Sequence, residues 1–266
     1  MYAFQYHRPG SLNEAATLLG KLGDGKALAG GQTLIAAMKL RLAQPSDLVD
    51  LGGIAELSGI RADGDNLVIG ATTRHADVAA SADVGKRIPA LAHLAGGIGD
   101  RQVRAVGTLG GSIANNDPAA DYPAGVLGLG ATIVTTQRSL GADEFFTGMY
   151  ETALKPGELI KSLSFPVPKR AGYAKFANPA SRFALIGVFV SQAANGAVRV
   201  AVTGAGNGVF RSAELEKALA ASFTPDAAGA VKVPASNCNG DIHASAEYRA
   251  HLVSVMAKRA VAAALG

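Results

Sequence analysis

The sequence predicts an α+β protein built as three α/β lobes in succession along 266 residues. Three observations lead there. Residues 11–51 alternate helix, short strand, glycine turn, helix and strand. From Ser58 the texture changes to strand-like runs separated by Asp63-Gly64-Asp65-Asn66, followed by helical segments. Past Pro166 and Pro168 a further unit opens, in which Asn195-Gly196 joins two strand-like runs ahead of two helices. At 48% hydrophobic and 17% charged residues, the chain can bury a substantial core and does not read as disordered. The lobes are expected at residues 1–55, 56–168 and 169–266.

Each element has a local cause. In "SLNEAATLLGKL", Ser11 and Glu14 stand at capping-box spacing, and Leu12, Ala15, Leu18, Leu19 and Leu22 share one helical face. A strand over residues 26–29 leads into Gly30-Gly31, a helix spans 33–42, Pro45 closes it, and "DLVDL" is the next strand. Lys39 and Arg41 sit near that helix's end, where positive charge offsets the dipole. "TTRHADVAAS" reads as a capped helix and "GKRIPALAHLAGGIG" as another. The glycine-rich segment "VRAVGTLGGSIANNDPAADYPA" precedes strands in "ATIVTT" and "LIKSLSFPV". In the last lobe, strands flank Asn195-Gly196, helices are expected over 211–222 and 243–265, and residues 225–240 read as loop.

Composition excludes several classes. A net charge of +4 comes from 25 basic and 21 acidic residues without a long basic run, which gives no footprint for nucleic acid. The single Cys238 excludes an intrachain disulfide and any cysteine-held iron–sulfur or zinc cage; it reads as a small buried group. "MYAFQYHRPGS" lacks the apolar core of a signal peptide, and no apolar run reaches membrane-spanning length, so the cytoplasm is expected. "GKLGDGKA" nearly spells a phosphate-binding P-loop, but Ala27 stands where a metal-binding hydroxyl is needed and the motif follows a helix. It reads as a helix end plus turn. His243, Glu247 and His251, spaced by four, share one helical face and could meet a metal, though a solvated polar face explains them as well. Ser112 in "GGSIA" is no nucleophile elbow, because Ala114 replaces the second glycine.

Two segments share a character that the rest of the chain lacks. "AGGQT" and "GTLGGS" each place adjacent glycines before a hydroxyl or amide side chain and then apolar residues. Gly30-Gly31 can adopt conformations closed to other residues and present successive N–H groups to an anion, with the following helix adding its N-terminal partial charge. Gly110-Gly111-Ser112 could do the same from the other side. Two such cradles suit a diphosphate held between lobes. Neither has the G-x-G-x-x-G pattern of a Rossmann site.

The chain resembles, essentially end to end, the FAD-binding medium subunits of molybdenum hydroxylases, the carbon monoxide dehydrogenase/xanthine dehydrogenase family. The resemblance runs through Phe4, Tyr6, Arg8, Pro9 and the Ser11–Leu19 helix, then "AGGQTLIAAMKLRLAQPSDLVDL", "VRAVGTLGGSIANNDPAADYPA", "GELIKSLSFP" and "HASAEYRAHLVSVMAKRA". It implies a PCMH-type (vanillyl-alcohol-oxidase-like) FAD fold of two subdomains, followed by a third domain of the carbon monoxide dehydrogenase flavoprotein type. It also implies that the diphosphate is wrapped by Leu28, Ala29, Gly30, Gly31, Gln32, Thr33, Leu34 and Ile35, and by Thr108, Gly110, Gly111 and Ser112. Many relatives carry His and Ser where this chain has Gln32 and Thr33, and Asn in place of Ser112; hydrogen-bonding capacity is kept. By the same resemblance Asn115 and Asp121 approach the ribityl or adenosine part, Ile98 lies near one face of the flavin, Leu159 and Ile160 approach it by backbone, and Lys175 lies near it. Phe183 matches an aromatic that some relatives set against the isoalloxazine; as sequence alone it serves equally as strand core.

The resemblance implies a division of labour as well. A large partner subunit holds the molybdenum cofactor and hydroxylates substrate. A small partner subunit passes electrons through 2Fe-2S clusters to FAD on this chain, and an external acceptor removes them. No acid/base residue is assigned here; backbone N–H groups and Lys175 are expected to balance the diphosphate and any anionic reduced flavin. The lone cysteine speaks against the type of medium subunit that carries a 4Fe-4S cluster. A dimer of heterotrimers is expected by analogy. Two other readings compete: a stand-alone FAD oxidase, and a phosphate- or nucleic-acid-binding module.

Overall fold

The computed structural model describes residues 1–266 and contains three main sheets and a two-stranded ribbon. In the first sheet Asp47–Asp50 lies between Gln5–His7 and Gly25–Leu28, and all three strands run parallel. Parallel neighbours need crossovers, which the helices Leu12–Lys21 and Leu34–Lys39 supply. Ser11 caps the first of these, its hydroxyl accepting from the Glu14 N–H at 3.2 Å. The second is shorter than its sequence pattern suggests. It stops at Lys39 because Arg41 turns to φ 60°, a left-handed conformation that no helix continues through.

The second sheet is antiparallel, in the order Ile60–Asp63, Asn66–Gly70, Ile160–Pro166, Thr132–Thr135, Ser139–Gly141. Gly64, at φ 57°, makes the tight turn expected of Asp63-Gly64. Between its second and third strands in sequence the chain leaves to form six helices. His75–Ala80 has Arg74 at its N-cap with no capping side chain, contrary to the expected cap; Ala82–Arg87, capped by Ser81, was not anticipated. Pro89–Gly96 follows as expected. The second glycine segment is largely helical, over Arg101–Val106, Leu109–Asn115 and Tyr122–Leu129. Its glycines hide this from propensity, because their reason for being there is close packing.

The third sheet runs Arg170–Ala177, Ala184–Gln192, Val198–Thr203, Phe210–Arg211, all antiparallel. Asn195-Gly196 sits in its predicted hairpin, but the ladder closes at Gln192 and Val198, and the Asn195 side chain accepts from the Ala197 N–H at 3.0 Å. Residues 225–240 are not all loop: Thr224 caps a helix over Pro225–Ala230. The last helix spans Ala246–Leu265 with Ser245 as its cap, so His243 lies ahead of it. The three-residue polar face of His243, Glu247 and His251 therefore does not form. Cys238 is buried, as a small apolar group would be.

The second and third sheets share one core. The helix Tyr122–Leu129 lies between them with every residue buried, and Gly128 admits Phe189, whose Cδ1 would be 2.8 Å from an added Cβ. Its C-terminal carbonyls receive donors from the third sheet: Arg199 Nε to Leu127 at 2.9 Å and Ser191 Oγ to Gly128 at 2.7 Å. No helix is long and apolar enough to cross a membrane.

Gly172 is where the last helix meets the third sheet, and a Cβ there would collide with the Ala260 carbonyl oxygen. Gly172→Ala should cost about 1–3 kcal/mol by forcing backbone apart. Urea unfolding should show a lower midpoint with an unchanged slope.

Candidate functional site

A cleft of about 660 Å³ runs from the C-terminal ends of the first sheet across the helical layer to the loop between the first two strands of the third sheet. Its wall contains residues 28–34, Ile98, Thr108, Gly110, Gly111, Ser112, Asn115, Asp121, Leu159, Ile160 and Phe183. Two residues expected there are not in the wall. Ile35 turns back, its N–H on the Gly31 carbonyl at 2.9 Å and its side chain against Gly31. Lys175 is committed elsewhere, as described below.

The first glycine loop has the geometry of an anion cradle. Gly31 sits at φ 65°, where L-residues are strained, and the N–H groups of Gly30, Gly31, Gln32 and Thr33 have no acceptor within the protein. Gly30 lies directly on the second segment: a Cβ would strike the Val106 carbonyl oxygen and stand 2.7 Å from Gly107 Cα. Glycine is needed here for space as well as for turn geometry.

The second segment is not a mirror image of the first, which corrects the expectation of paired amide cradles. Its N–H groups are already spent. Leu109 donates to Thr73 at 3.0 Å, Gly110 to Ala71 at 2.8 Å, Gly111 to Thr108 Oγ1 at 3.2 Å, and Ser112 to the Thr108 carbonyl at 3.0 Å. A Cβ on Gly110 would stand 2.7 Å from the Ala71 oxygen. These glycines bring backbone close to backbone, and the cleft receives Thr108 and Ser112 as the polar groups of this wall.

Lys175 does not offer a free charge to the cleft. Its ammonium pairs with Asp121 at 2.8 Å and donates to the Gly97 carbonyl at 2.8 Å and the Arg182 carbonyl at 3.0 Å. All three of its donors are used. The charge-balancing role expected of it is thereby replaced by a structural one, tying the Ile98 turn and the Phe183 loop to Asp121. Asp121 Oδ1 also accepts from the Tyr173 hydroxyl at 2.6 Å. Burial pushes the Asp121 carboxyl up, against the opposing pull of Lys175 and Tyr173. The side-chain partners Tyr173 and Lys175 both meet Oδ1, and the carboxylate lines the cleft. Phe183 lies outside the strand Ala184–Gln192 and is 46% exposed at the cleft, so the strand-core reading does not hold.

Three residues in or behind the wall escaped the sequence reading: Glu158 and His75 line the cleft, and Asn116 lies buried behind it. Glu158 has no special spacing in "GELI", yet its buried carboxylate accepts from Thr135 Oγ1 at 2.6 Å, the Lys155 N–H at 2.9 Å and Arg138 Nε at 3.1 Å. Burial alone would raise its pKa; the donors of Arg138, Thr135 and Lys155 win and hold it down to about 2. It fixes the turn that carries Leu159 and Ile160. Asn116, left-handed at φ 44°, donates to the Gly148 and Glu151 carbonyls at 2.8 Å each, which sets Tyr150 at the cleft mouth. His75, buried at the base of the cleft, is the third. Nothing in the spacing of these residues signals their place, because the side-chain partners of Glu158 and the carbonyl partners of Asn116 lie 20 or more residues away, and the His75 ring has no hydrogen-bond partner at all.

Free amides, apolar walls at Ile98, Leu159 and Ile160, and a buried carboxylate suit a long ligand with an anionic middle and a flat apolar end. Residues 2–168 match the family model described as the FAD binding domain in molybdopterin dehydrogenase. This chain belongs to that family. Relatives match over nearly their full length. The carbon monoxide dehydrogenase medium chain of Hydrogenophaga pseudoflava is 38% identical, with 98% of this chain and 96% of that one aligned. The nicotine 6-hydroxylase medium subunit of Paenarthrobacter nicotinovorans is 35% identical, over 97% and 96%. A chain of the reconstituted carbon monoxide dehydrogenase from Oligotropha carboxidovorans superposes with a TM-score of 0.91 at 34% identity, over 99% of this chain and 98% of that one. The protein is thus an FAD-binding medium subunit of the molybdenum hydroxylase type, an oxidoreductase component with the α+β FAD fold that its motifs implied. FAD supplies the redox chemistry; the chain supplies binding, orientation and electrostatics.

Gly30→Ala should weaken FAD binding by about tenfold or more, since 1–3 kcal/mol of overpacking falls on the crossing that shapes the cradle. Titration of the flavin-free chain with FAD would measure it. Glu158 also predicts a pH dependence. Its folded pKa lies below the ordinary 4.5, so it contributes about 3 kcal/mol above pH 5, lost as pH falls toward 2. Glu158→Gln should therefore flatten the loss of stability between pH 5 and about 2.5, read by urea unfolding at each pH.

Proposed function

We propose that this chain is the electron-transfer subunit of a heterotrimeric molybdenum hydroxylase. Electrons arrive from 2Fe-2S clusters on a small partner subunit, rest on FAD in the cleft, and leave to an external acceptor. Substrate is oxidised on a large partner subunit that holds the molybdenum cofactor. The observation that carries this reading is the loop of four unpartnered N–H groups at residues 30–33, set beside a cleft with apolar walls at Ile98, Leu159 and Ile160. The single cysteine supports locating the clusters on another chain.

Within the cleft, residues 28–34 with Thr108 and Ser112 hold the diphosphate, and Asn115 with Asp121 Oδ2 meets the sugar portion. Ile98, Leu159, Ile160 and Phe183 frame the isoalloxazine. Units of 1–55, 56–168 and 169–266 each contribute wall residues, so FAD would join all three. We assign the protein to the cytoplasm and its complex to a dimer of heterotrimers. Relatives named for carbon monoxide and for nicotine are similar to this chain over nearly its full length, so the substrate class rests with the large subunit.

Purification from the native host tests this directly. A yellow protein that copurifies with molybdenum- and iron–sulfur-containing chains is expected. A colourless monomer without such partners would overturn the assignment.

A further inference from the structure

His75 opens the helix His75–Ala80 and lines the cleft, and its ring makes no hydrogen bond within the protein. The residue is only 5% exposed, and no hydrogen bond reaches either ring nitrogen. Nδ1 is fully buried without a partner. Nε2 lies against Gly107, where an added Cβ would approach it to 2.6 Å. Gly107 is the residue over which Gly30 crosses, so the imidazole sits beneath the meeting point of the two cofactor loops. Tyr122 packs against the ring with centroids 5.2 Å apart and holds it in place.

The protonation state follows from burial. Desolvation, with the nearby Arg104 charge, lowers the imidazole pKa to about 4, so the ring is neutral at physiological pH and has one N–H to place. A proton on Nδ1 would bury an unpartnered donor, whereas a lone pair there costs less. The proton therefore belongs on Nε2, beside Gly107 and Thr108. A donor at that position wants an acceptor oxygen.

We propose that His75 is a direct FAD ligand, its Nε2–H donated to an oxygen of the diphosphate held over residues 30–33. This rests on the reading of the cleft as the FAD site and adds a neutral side-chain donor below the backbone cradle. It also accounts for a buried histidine whose polar edge the protein leaves without a partner.

FAD titration of the flavin-free full-length chain, followed by quenching of flavin fluorescence, tests it with three proteins. His75→Leu keeps bulk and removes the donor; FAD affinity should fall about ten- to hundredfold, the worth of a hydrogen bond to a charged oxygen. His75→Gln keeps a donor at similar reach and should stay within about threefold of wild type. ¹⁵N-histidine NMR of the wild-type chain should show His75 as the Nε2–H tautomer, with the Nε2 resonance moving when FAD is added. The inference is overturned if His75→Leu binds FAD as wild type does, or if the His75 resonances do not respond to FAD. Failure of the wild-type chain itself to bind FAD would instead overturn the reading of the cleft.

Discussion

Two stretches of backbone cross at Gly30 and Gly107 with less room between them than one methyl group needs. Much of the cleft depends on that crossing. It sets the first loop in the geometry that leaves residues 30–33 with unpartnered N–H groups, and it brings the first sheet against the helical layer. A buried, unpaired amide costs free energy, so four in succession are tolerated only where solvent or a ligand can reach them. The loop is thus a local deficit in hydrogen bonding, open to the cleft. The second segment shows the contrast: its amides are satisfied by Ala71, Thr73 and Thr108, and it serves as the wall against which the first loop is held.

The walls of the cleft are tied together by buried charge. Lys175 links Asp121, the Gly97 carbonyl and the Arg182 carbonyl, so one ammonium joins the helical layer to the third sheet. Arg138 and Glu158 do the same for the turn before Ile160. Removing one partner from such a pair leaves an uncompensated charge, which is why these contacts hold geometry more firmly than their net energy suggests. The helix Tyr122–Leu129 completes the arrangement, its carbonyl end closed by Arg199 and Ser191 from the third sheet.

Much of this was legible beforehand where the signal is short-range. The Ser11 cap, the Asp63-Gly64 turn and the Asn195-Gly196 hairpin each carry their own chemistry within a few residues, and each appears in place. The helix Leu109–Asn115 was obscured because glycines required by close packing lower helix propensity. The helical face of His243, Glu247 and His251 failed because Ser245 is the better cap, so the helix begins after His243.

By itself the sequence determined the order of the lobes, the two glycine segments and, through their resemblance to a flavoprotein family, the identity of the cofactor. Only the tertiary structure decided which polar groups are spent and which are free. Residues 30–33 and 109–112 look alike in the chain, yet one set of amides is open and the other paired. Lys175 looked available and is consumed; His75 looked isolated and lies beneath the crossing of the two glycine segments. The reason is physical. A turn or cap is set by neighbours within one helical turn, whereas the partner of a buried donor arrives from dozens of residues away, once the sheets and helices have packed.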